Sequence, residues 1–485
     1  MLLFIFELDA KLGKQAIAEL FSIRTDSNNI PNVYFGIFPV IVTKATGCLV
    51  ATLAFYIFAP HFFIKQKAKM NMNELTCGLD FGTSNSIISL TDNATQKEVF
   101  SYRASSILYF PDTNEMTYYV GKEAHDKYIE ENMTGRLLKS VKTLLRQDKF
   151  LSTWIFGKRM TPDQLVTCII RHLKEKAEAF TGTEITDVVL GRPAIFSEDV
   201  KQENLAVSRL TLAAHNAGFR NIKLQLEPIA AALSYEQRLD HSENVLVADL
   251  GGGTSDFTIM NLSPDKVRKE DRKDDIIAHG GVYIGGDLFD SEIMWYKVTP
   301  HLGRGVKYQS YDKEIEVPSI LYRELKNWER TFMLKESKLR RSMDNYYHLS
   351  GNNPKIDNVR VLIDNNYVFS LFKGIEQSKI NLSDGKDTTI DFEKETISIH
   401  EPFTPDEFAT IIERHTTAIE QYICQLLETS KYSASDIDSV FITGGSSLVI
   451  PVREILFRIF GKDKIRTGNT FNSVAYGLSL SYGKR

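Results

Sequence analysis

The chain has 485 residues, a formal net charge of −4, and a composition that is 43% hydrophobic and 25% charged. That length exceeds one compact core and suits two or three domains of ordinary globular composition. The near-neutral balance excludes the basic stripe of a nucleic-acid surface, and Cys48, Cys77, Cys168 and Cys424 lack the spacing of a disulfide framework or a zinc site.

The amino-terminal seventy residues differ from the rest. Between Val33 and Ile64 the only formal charge is Lys44, and Gly47 to Ile64 is apolar apart from Thr52 and His61. Eighteen such residues reach the lower limit for a membrane-spanning helix, although Pro60 and His61 are awkward in hydrocarbon. Lys65, Lys67 and Lys69 follow, so a spanning segment would leave everything downstream in the cytoplasm. The competing reading is a translation start set too far upstream, since Met70 and Met72 stand directly before the first recognisable strand. Residues 1–74 are thus expected to be an extension without chemistry, and a membrane contact is expected only if 47–64 is a genuine anchor.

From Leu75 onward strands and helices mix. Gly78 to Asn85 places an Asp and a Gly-containing turn between apolar runs, the second being Ile87 to Leu90. Val188 to Gly191 reads as a buried strand ending at Arg192-Pro193, and Glu203 to Ala217 as a helix closed by Gly218. Asn244 to Ala248 is a strand feeding Asp249-Leu250-Gly251-Gly252-Gly253-Thr254-Ser255-Asp256, with a further apolar run from Phe257 to Met260. Ile320 to Tyr346 reads as a charged helical stretch containing Trp328, Phe332 and Leu339. Val440 to Thr443 is a strand ending at Gly444-Gly445-Ser446, and Val474 to Leu478 reads as a closing helix. Gly-rich turns at the carboxyl ends of strands are where ligands collect in α/β proteins.

The two Asp–Gly turns look like two copies of one device. Each is a hairpin whose tight turn needs Gly. Its backbone N–H groups can converge on an anion, and the Asp at its start can hold a hydrated cation. A single copy is an ordinary turn; two facing each other across a cleft would clamp a nucleoside triphosphate. Walker-type and dinucleotide-binding glycine motifs are absent from the sequence.

Five phrases occur in one order: Asp80-Phe81-Gly82-Thr83, Leu226-Glu227-Pro228-Ile229-Ala230-Ala231-Ala232, Asp249 to Asp256, Ile284-Gly285-Gly286-Asp287 and Thr443-Gly444-Gly445-Ser446. Together they resemble the ATPase domain of DnaK-type heat-shock chaperones, a member of the actin and sugar-kinase superfamily, from about Leu75 to the carboxyl end. Gly191-Arg192-Pro193, Gly218-Phe219-Arg220 and Glu227-Pro228 are similar to a truncated branch, the YegD-like proteins, which lack a peptide-binding domain. The resemblance implies an α/β, two-lobed actin-like ATPase fold with duplicated ribonuclease-H-like mixed sheets around a nucleotide cleft. Lobe I would span 75–248, lobe II 249–440 and a closing segment 441–485.

Position by position, the resemblance implies ATP or ADP with Mg²⁺. Gly82, Thr83, Ser84 and Asn85 would hold the phosphates from one side, and Gly251, Gly252, Gly253 and Thr254 from the other. Asp80 and Asp249 would bind Mg²⁺ mostly through water, with Asp256 behind them. Lys142 would offset charge on the transferring phosphoryl group, and Glu227 with Asp249 would orient the attacking water. Gly444, Gly445 and Ser446 would line the adenosine side near Gly285 and Gly286, and Glu376, Lys379 and Ser383 would hold ribose and adenine. Without the resemblance, Lys142 also fits a solvated helical face beside Arg136, Lys139 and Arg146, and Glu227-Pro228 fits a plain helix start.

The sequence departs from the family where two arginines sandwich the adenine; Ile380 and about Leu448 stand there, which puts base selectivity in question. Phe471 to Gly477 stands where the family has Asp-Glu-Ala-Val-Ala-Tyr-Gly, so both acids are lost, at Phe471 and Asn472, and no peptide-binding domain is expected in this chain. The expected function is a cytoplasmic, Mg²⁺-dependent, slowly hydrolysing ATPase that signals its nucleotide state to a protein partner. The alternatives are a nucleotide-binding scaffold with negligible hydrolysis, an actin-like filament former and, least supported, a sugar kinase.

Overall fold

The computed structural model describes residues 72–113, 116–266, 272–326, 334–468 and 472–481, together with the backbone of four strands before residue 58. It divides into two compact units, Met1–Met70 and Asn71–Arg485. In the first, strands Leu3–Leu8, Phe35–Ile37 and Ile41–Ala45 each pair antiparallel with Cys48–Ile57. Ten residues of the apolar stretch expected as a candidate spanning helix therefore form a strand; the remainder, Gly47 and residues 58–64, lies outside the described residues. Among the described residues no helix is long and apolar enough to cross a membrane.

The second unit is built from one chain pattern used twice. In its first half β1 (Leu75–Phe81), β2 (Asn85–Asp92) and β3 (Glu98–Ser105) form an antiparallel meander. Helix α1 (Pro162–Thr181) leads to β4 (Asp187–Arg192), α2 (Val200–Asn216) to β5 (Asn221–Leu226), and α3 (Glu227–Glu236) follows. Strands β4 and β5 run parallel, and β4 joins β1. The sheet order is β3-β2-β1-β4-β5.

The second half repeats this with β6 (Glu243–Leu250), β7 (Ser255–Leu262) and β8 (Ile276–Val282) as the meander. Inserted before the fourth strand are α4 (Gly286–Ile293), α5 (Lys338–Leu349), α6 (Pro354–Asp364), α7 (Val368–Ser383) and the hairpin β9 (Thr388–Lys394) and β10 (Ile397–Phe403). Then α8 (Pro405–Ser430), β11 (Ser439–Thr443), α9 (Ile450–Phe460), β12 (Ile465–Thr467) and α10 (Ser473–Leu480) close the pattern. The order is β8-β7-β6-β11-β12, which repeats the connectivity of the first sheet strand for strand. The entry helices α1 and α8 begin alike, with a Thr cap, Pro in the first turn and a capping box closed by Gln164 or Glu407.

The second sheet takes in β6 from Glu243, and β11 and β12 belong to the same sheet. One expectation changes here. The stretch 320–346 is not one helix: a short helix Ser319–Tyr322 gives way to a 3-10 turn, and α5 begins only at Lys338 after its Ser337 cap. Trp328 and Phe332 lie outside the described residues. Cys77, Cys168 and Cys424 are free thiols.

The two sheets meet through α3 and α10. Every residue of α3 is buried, and Ile229 to Leu233 share one apolar cluster with Val189 of the first sheet, Val245, Val247 and Phe441 of the second, and Val474 and Leu478 of α10. Gly477 lets α10 lie directly on α3, because a β-carbon there would overlap the Ala230 carbonyl. Gly374 in α7 is the opposite case, with only the Asp391 carbonyl at 4.0 Å from such a carbon. Gly477→Ala is expected to destabilise the protein by about 1–3 kcal/mol through overpacking. Gly374→Ala should instead stabilise it by about 0.5–1 kcal/mol. Chemical denaturation of both variants checks the pair; a neutral Gly477→Ala would mean the helices are not in backbone contact.

Candidate functional site

Each half places an Asp near the end of its first strand and a Gly turn just beyond it. In the first hairpin Phe81 pairs with Ser86, and in the second Leu250 pairs with Ser255 and Asp249 faces Asp256. Four of the turn carbonyls are taken, two in each turn. Ser106 Oγ donates to Gly82 at 2.8 Å and its N–H to Ser84 at 2.8 Å. Ser446 Oγ donates to the Gly251 carbonyl at 2.7 Å, and the Asp287 N–H to that of Gly252 at 2.8 Å. Among the described residues the N–H groups of Thr83, Ser84, Gly252 and Gly253 donate to no protein acceptor. They are thus available to an anion.

The turns approach each other closely. A β-carbon on Gly252 would collide with Ser84 Oγ, and one on Gly253 would stand 3.0 Å from Thr83 Oγ1. Ser84 Oγ also reaches Asp287 Oδ1 at 3.3 Å, at the start of α4. Beside this junction opens a cavity of about 670 Å³. That size suits a small-molecule or cofactor ligand.

Nearly all the residues read from sequence line this cavity: Asp80, Gly82 to Asn85, Lys142, Glu227, Asp249, Gly251 to Thr254, Gly286, Glu376, Lys379, Ser383 and Gly444 to Ser446. Two do not. Asp256 is buried behind the turn with its carboxylate accepting from Thr254 Oγ1 at 2.7 Å, and Gly285 lies beneath the backbone of Gly251 and Gly252. Gly444 has φ of +82° and sits against the Leu250 carbonyl, a backbone and a closeness that favour glycine.

Lys142 is not on a solvated face. It is buried on the 3-10 turn Val141–Arg146, with Nζ 2.8 Å from Glu227 Oε1 at the first residue of α3. Ser140 before it holds a left-handed backbone, φ 56° and ψ 34°, and its hydroxyl donates to Asp287 Oδ2 at 3.2 Å. Lys379 is committed as well, donating to the Gly286 carbonyl at 3.0 Å and to Asp290 Oδ2 at 2.9 Å. The Ser383 hydroxyl turns back to the Lys379 carbonyl at 2.9 Å. Sequence reasoning misses Asp287, Lys139 and Arg453. Asp287 stands inside one of the glycine phrases, whereas Lys139 and Arg453 carry no local signal.

Four carboxylates, Asp80, Glu227, Asp249 and Asp256, interact here with a single ammonium, Lys142. Burial, then the Glu227 charge, pushes Asp80 up to about 7 against the pull of Lys142. Burial likewise raises Asp256 to about 7, against its bond from Thr254. Asp249 is raised well above the usual carboxylate range by burial and by the Glu227, Asp80 and Asp256 charges. Burial alone would lower Lys142, but Glu227 and Asp80 outweigh it and its ammonium is strengthened. Among the described residues no three His, Cys, Asp or Glu side chains are grouped so as to hold a metal ion directly.

Two ribonuclease-H-like sheets in one chain, with a Gly turn from each facing across a cleft, define the two-lobed, actin-like fold class. Within it, the family described as "Hsp70 protein" matches residues 112–310 and 348–483, and the chain belongs to that family. It is 25% identical over 422 residues to a "Chaperone protein DnaK" of Thermosipho africanus (strain TCF52B), covering 84% of this chain and 59% of the relative. It is also 25% identical over 419 residues to the "Chaperone protein DnaK" of Thermosipho melanesiensis (strain DSM 12029 / CIP 104789 / BI429), with the same shares. The chain thus spans less than two thirds of the length of these relatives.

The raised carboxylates have a consequence for stability. Between pH 4 and 7 the folded protein retains protons on Asp80 and Asp256 that the unfolded chain has lost, so stability falls as pH rises through that window. Without divalent cations, the melting temperature of the wild type should drop from pH 5 to pH 8 by roughly 2–4 °C more than that of Asp80→Asn. Scanning calorimetry of the two proteins side by side checks this. Parallel pH profiles would mean that Asp80 is ionised throughout.

Proposed function

We propose that this chain is a Mg²⁺-dependent ATP-binding protein of chaperone type that hydrolyses ATP slowly and works in the cytoplasm. Its nucleotide state would open and close the cleft and so report to a protein partner. The observation that carries this reading is the facing pair of Gly turns with free N–H groups above an excess of buried carboxylates. On this reading the N–H groups of Thr83, Ser84, Gly252 and Gly253 hold the phosphates, backed by Asn85 and Thr254. Asp80 and Asp249 hold Mg²⁺ through its water shell, which suits a donor set too spread for direct ligation, and the ion supplies neutralising charge.

The chain's own groups then divide the work. Lys142, held by Glu227 and kept protonated, offers a fixed positive charge to the reacting phosphoryl group. Glu227 and Asp249 orient the attacking water, and Asp256 holds the Thr254 hydroxyl in place. Glu376, Lys379, Ser383, Gly286 and Gly444 to Ser446 enclose the nucleoside. A second reading, a nucleotide-responsive scaffold that does not hydrolyse, draws on the commitment of Lys142 to Glu227 and on the direct contact of the two turns.

Steady-state and single-turnover ATP hydrolysis with Mg²⁺ separates the two, using the wild type, Asp249→Asn and Lys142→Ala. The expected outcome is slow turnover by the wild type, reduced about 10²-fold or more in each variant. Nucleotide should still bind to both. Tight binding with no hydrolysis above the Asp249→Asn background would establish the scaffold instead. ATP-dependent sedimentation of the wild type would point to filaments.

A further inference from the structure

The cavity has a second end, away from the Gly turns. There the segment just beyond α7 meets the first turn of α9: a β-carbon on Gly385 would lie 3.6 Å from Ile450 Cδ1. Ile380 and Leu448 face this end and are 49% and 47% exposed, so the wall they form is apolar and open. Aliphatic side chains cover a flat ring but neither hydrogen-bond it nor place charge against it.

Arg453, on α9, lines the same end. The two ammonium groups on the cavity, Lys142 and Lys379, are both tied to carboxylates. Arg453 differs. Its Nε is buried without a hydrogen-bond partner, and among the described residues its side chain makes no ion pair. The Phe457 ring, 5.8 Å from its Cζ, backs it where a shallower hollow adjoins the cavity. With no carboxylate paired to it among the described residues, the guanidinium that lines the cavity is a charged donor open to an acceptor on a ligand. Neighbouring Arg458 is held by Glu420 at 2.6 Å and is not in that position.

We propose that Arg453 holds the base of the bound nucleotide, its guanidinium donating to an acceptor atom on the purine while Ile380 and Leu448 cover the ring. This rests on the nucleotide-binding reading of the cavity and adds a residue and a selectivity to it. A guanidinium only donates, and both adenine and guanine present ring-nitrogen acceptors. Arg453 therefore grips purines as a class. Adenine and guanine nucleotides bind with affinities within about tenfold of each other, since nothing in this contact requires the adenine amino group.

Isothermal titration of Mg-ADP, Mg-GDP and Mg-pyrophosphate into the wild type, Arg453→Met and Arg453→Lys tests the assignment, with melting curves as a fold control. The wild type should bind both nucleotides. Arg453→Met should weaken each by about tenfold, the worth of one good hydrogen bond to a charged donor, and leave pyrophosphate unchanged. Arg453→Lys should recover part of the loss. Equal nucleotide affinity in Arg453→Met and wild type would overturn the proposal, as would a parallel loss of pyrophosphate binding. A wild type that binds ADP well but GDP more than a hundredfold more weakly would refute the purine-wide grip. Failure of the wild type to bind any nucleotide would refute the nucleotide reading itself, a result distinct from a defect confined to the variant.

Discussion

More negative charge converges where the two sheets meet than the protein itself can neutralise, and the surrounding architecture serves to hold that imbalance in place. Asp80 and Asp249 stand one residue before the ends of their strands, at equivalent points of a repeated sheet, and Glu227 opens a helix whose ten residues are all buried. A helix start is a favourable place for a carboxylate, and Pro228 fits the first turn because its missing N–H is not needed there. Lys142 answers one of these charges. Burial then favours the protonated acids, which is why Asp80 and Asp256 lie near 7 and Asp249 above the usual range. On the proposed reading, a bound cation would reverse that preference and so link its binding to proton release.

Duplication explains how one chain assembles such a site. A single copy of the meander-and-crossover pattern produces one strand-end Asp and one turn. Two copies, brought together by α3 and α10, set the turns face to face. That contact depends on backbone closeness: Gly477 against the Ala230 carbonyl, and Gly78 of β1 against the backbone of Ala475 and Ser479. The apolar cluster around it draws on both sheets at once, so the site geometry and the packing of the two halves are one quantity.

The features of this arrangement legible in the sequence are those with local causes. Strands such as Val188 to Gly191 and Val440 to Thr443 declare themselves as short apolar runs, and the turn glycines as positions where other residues would not fit. The repeat of one turn chemistry at Asp80 and Asp249, in order with the other glycine phrases, points to the cleft. Long-range causes are not legible. Lys142 in isolation reads as a surface lysine, and only the fold brings it to Glu227, 85 positions away. The charged stretch 320–346 has helical composition, yet the short helix at Ser319 gives way to a 3-10 turn and the long one starts only at the Ser337 cap. Asp256 belongs to the same phrase as Asp249, but the register pairs the two across the hairpin and turns Asp256 onto Thr254. Arg453 lies on a helix beyond the glycine phrase, where nothing in the local pattern distinguishes it from other helical arginines.

The remaining polar contacts run across the cleft and converge on Asp287. Its carboxylate accepts from Ser84 in the first turn and from Ser140 beside Lys142, and Lys139 Nζ stands 3.7 Å away and 4.0 Å from Glu376. Its N–H meanwhile fastens the second turn through the Gly252 carbonyl. Asp287 therefore joins both turns and the segment that carries Lys142. Ser140 holds its contact from a left-handed backbone, a conformation that costs a non-glycine residue of order 1 kcal/mol and persists only where its surroundings enforce it. Ser84 and Gly252 touch at the junction of the two turns. Asp287 ties that contact, through Ser140, to the turn that presents Lys142. One carboxylate therefore fixes both the junction of the turns and the backbone that carries the lysine.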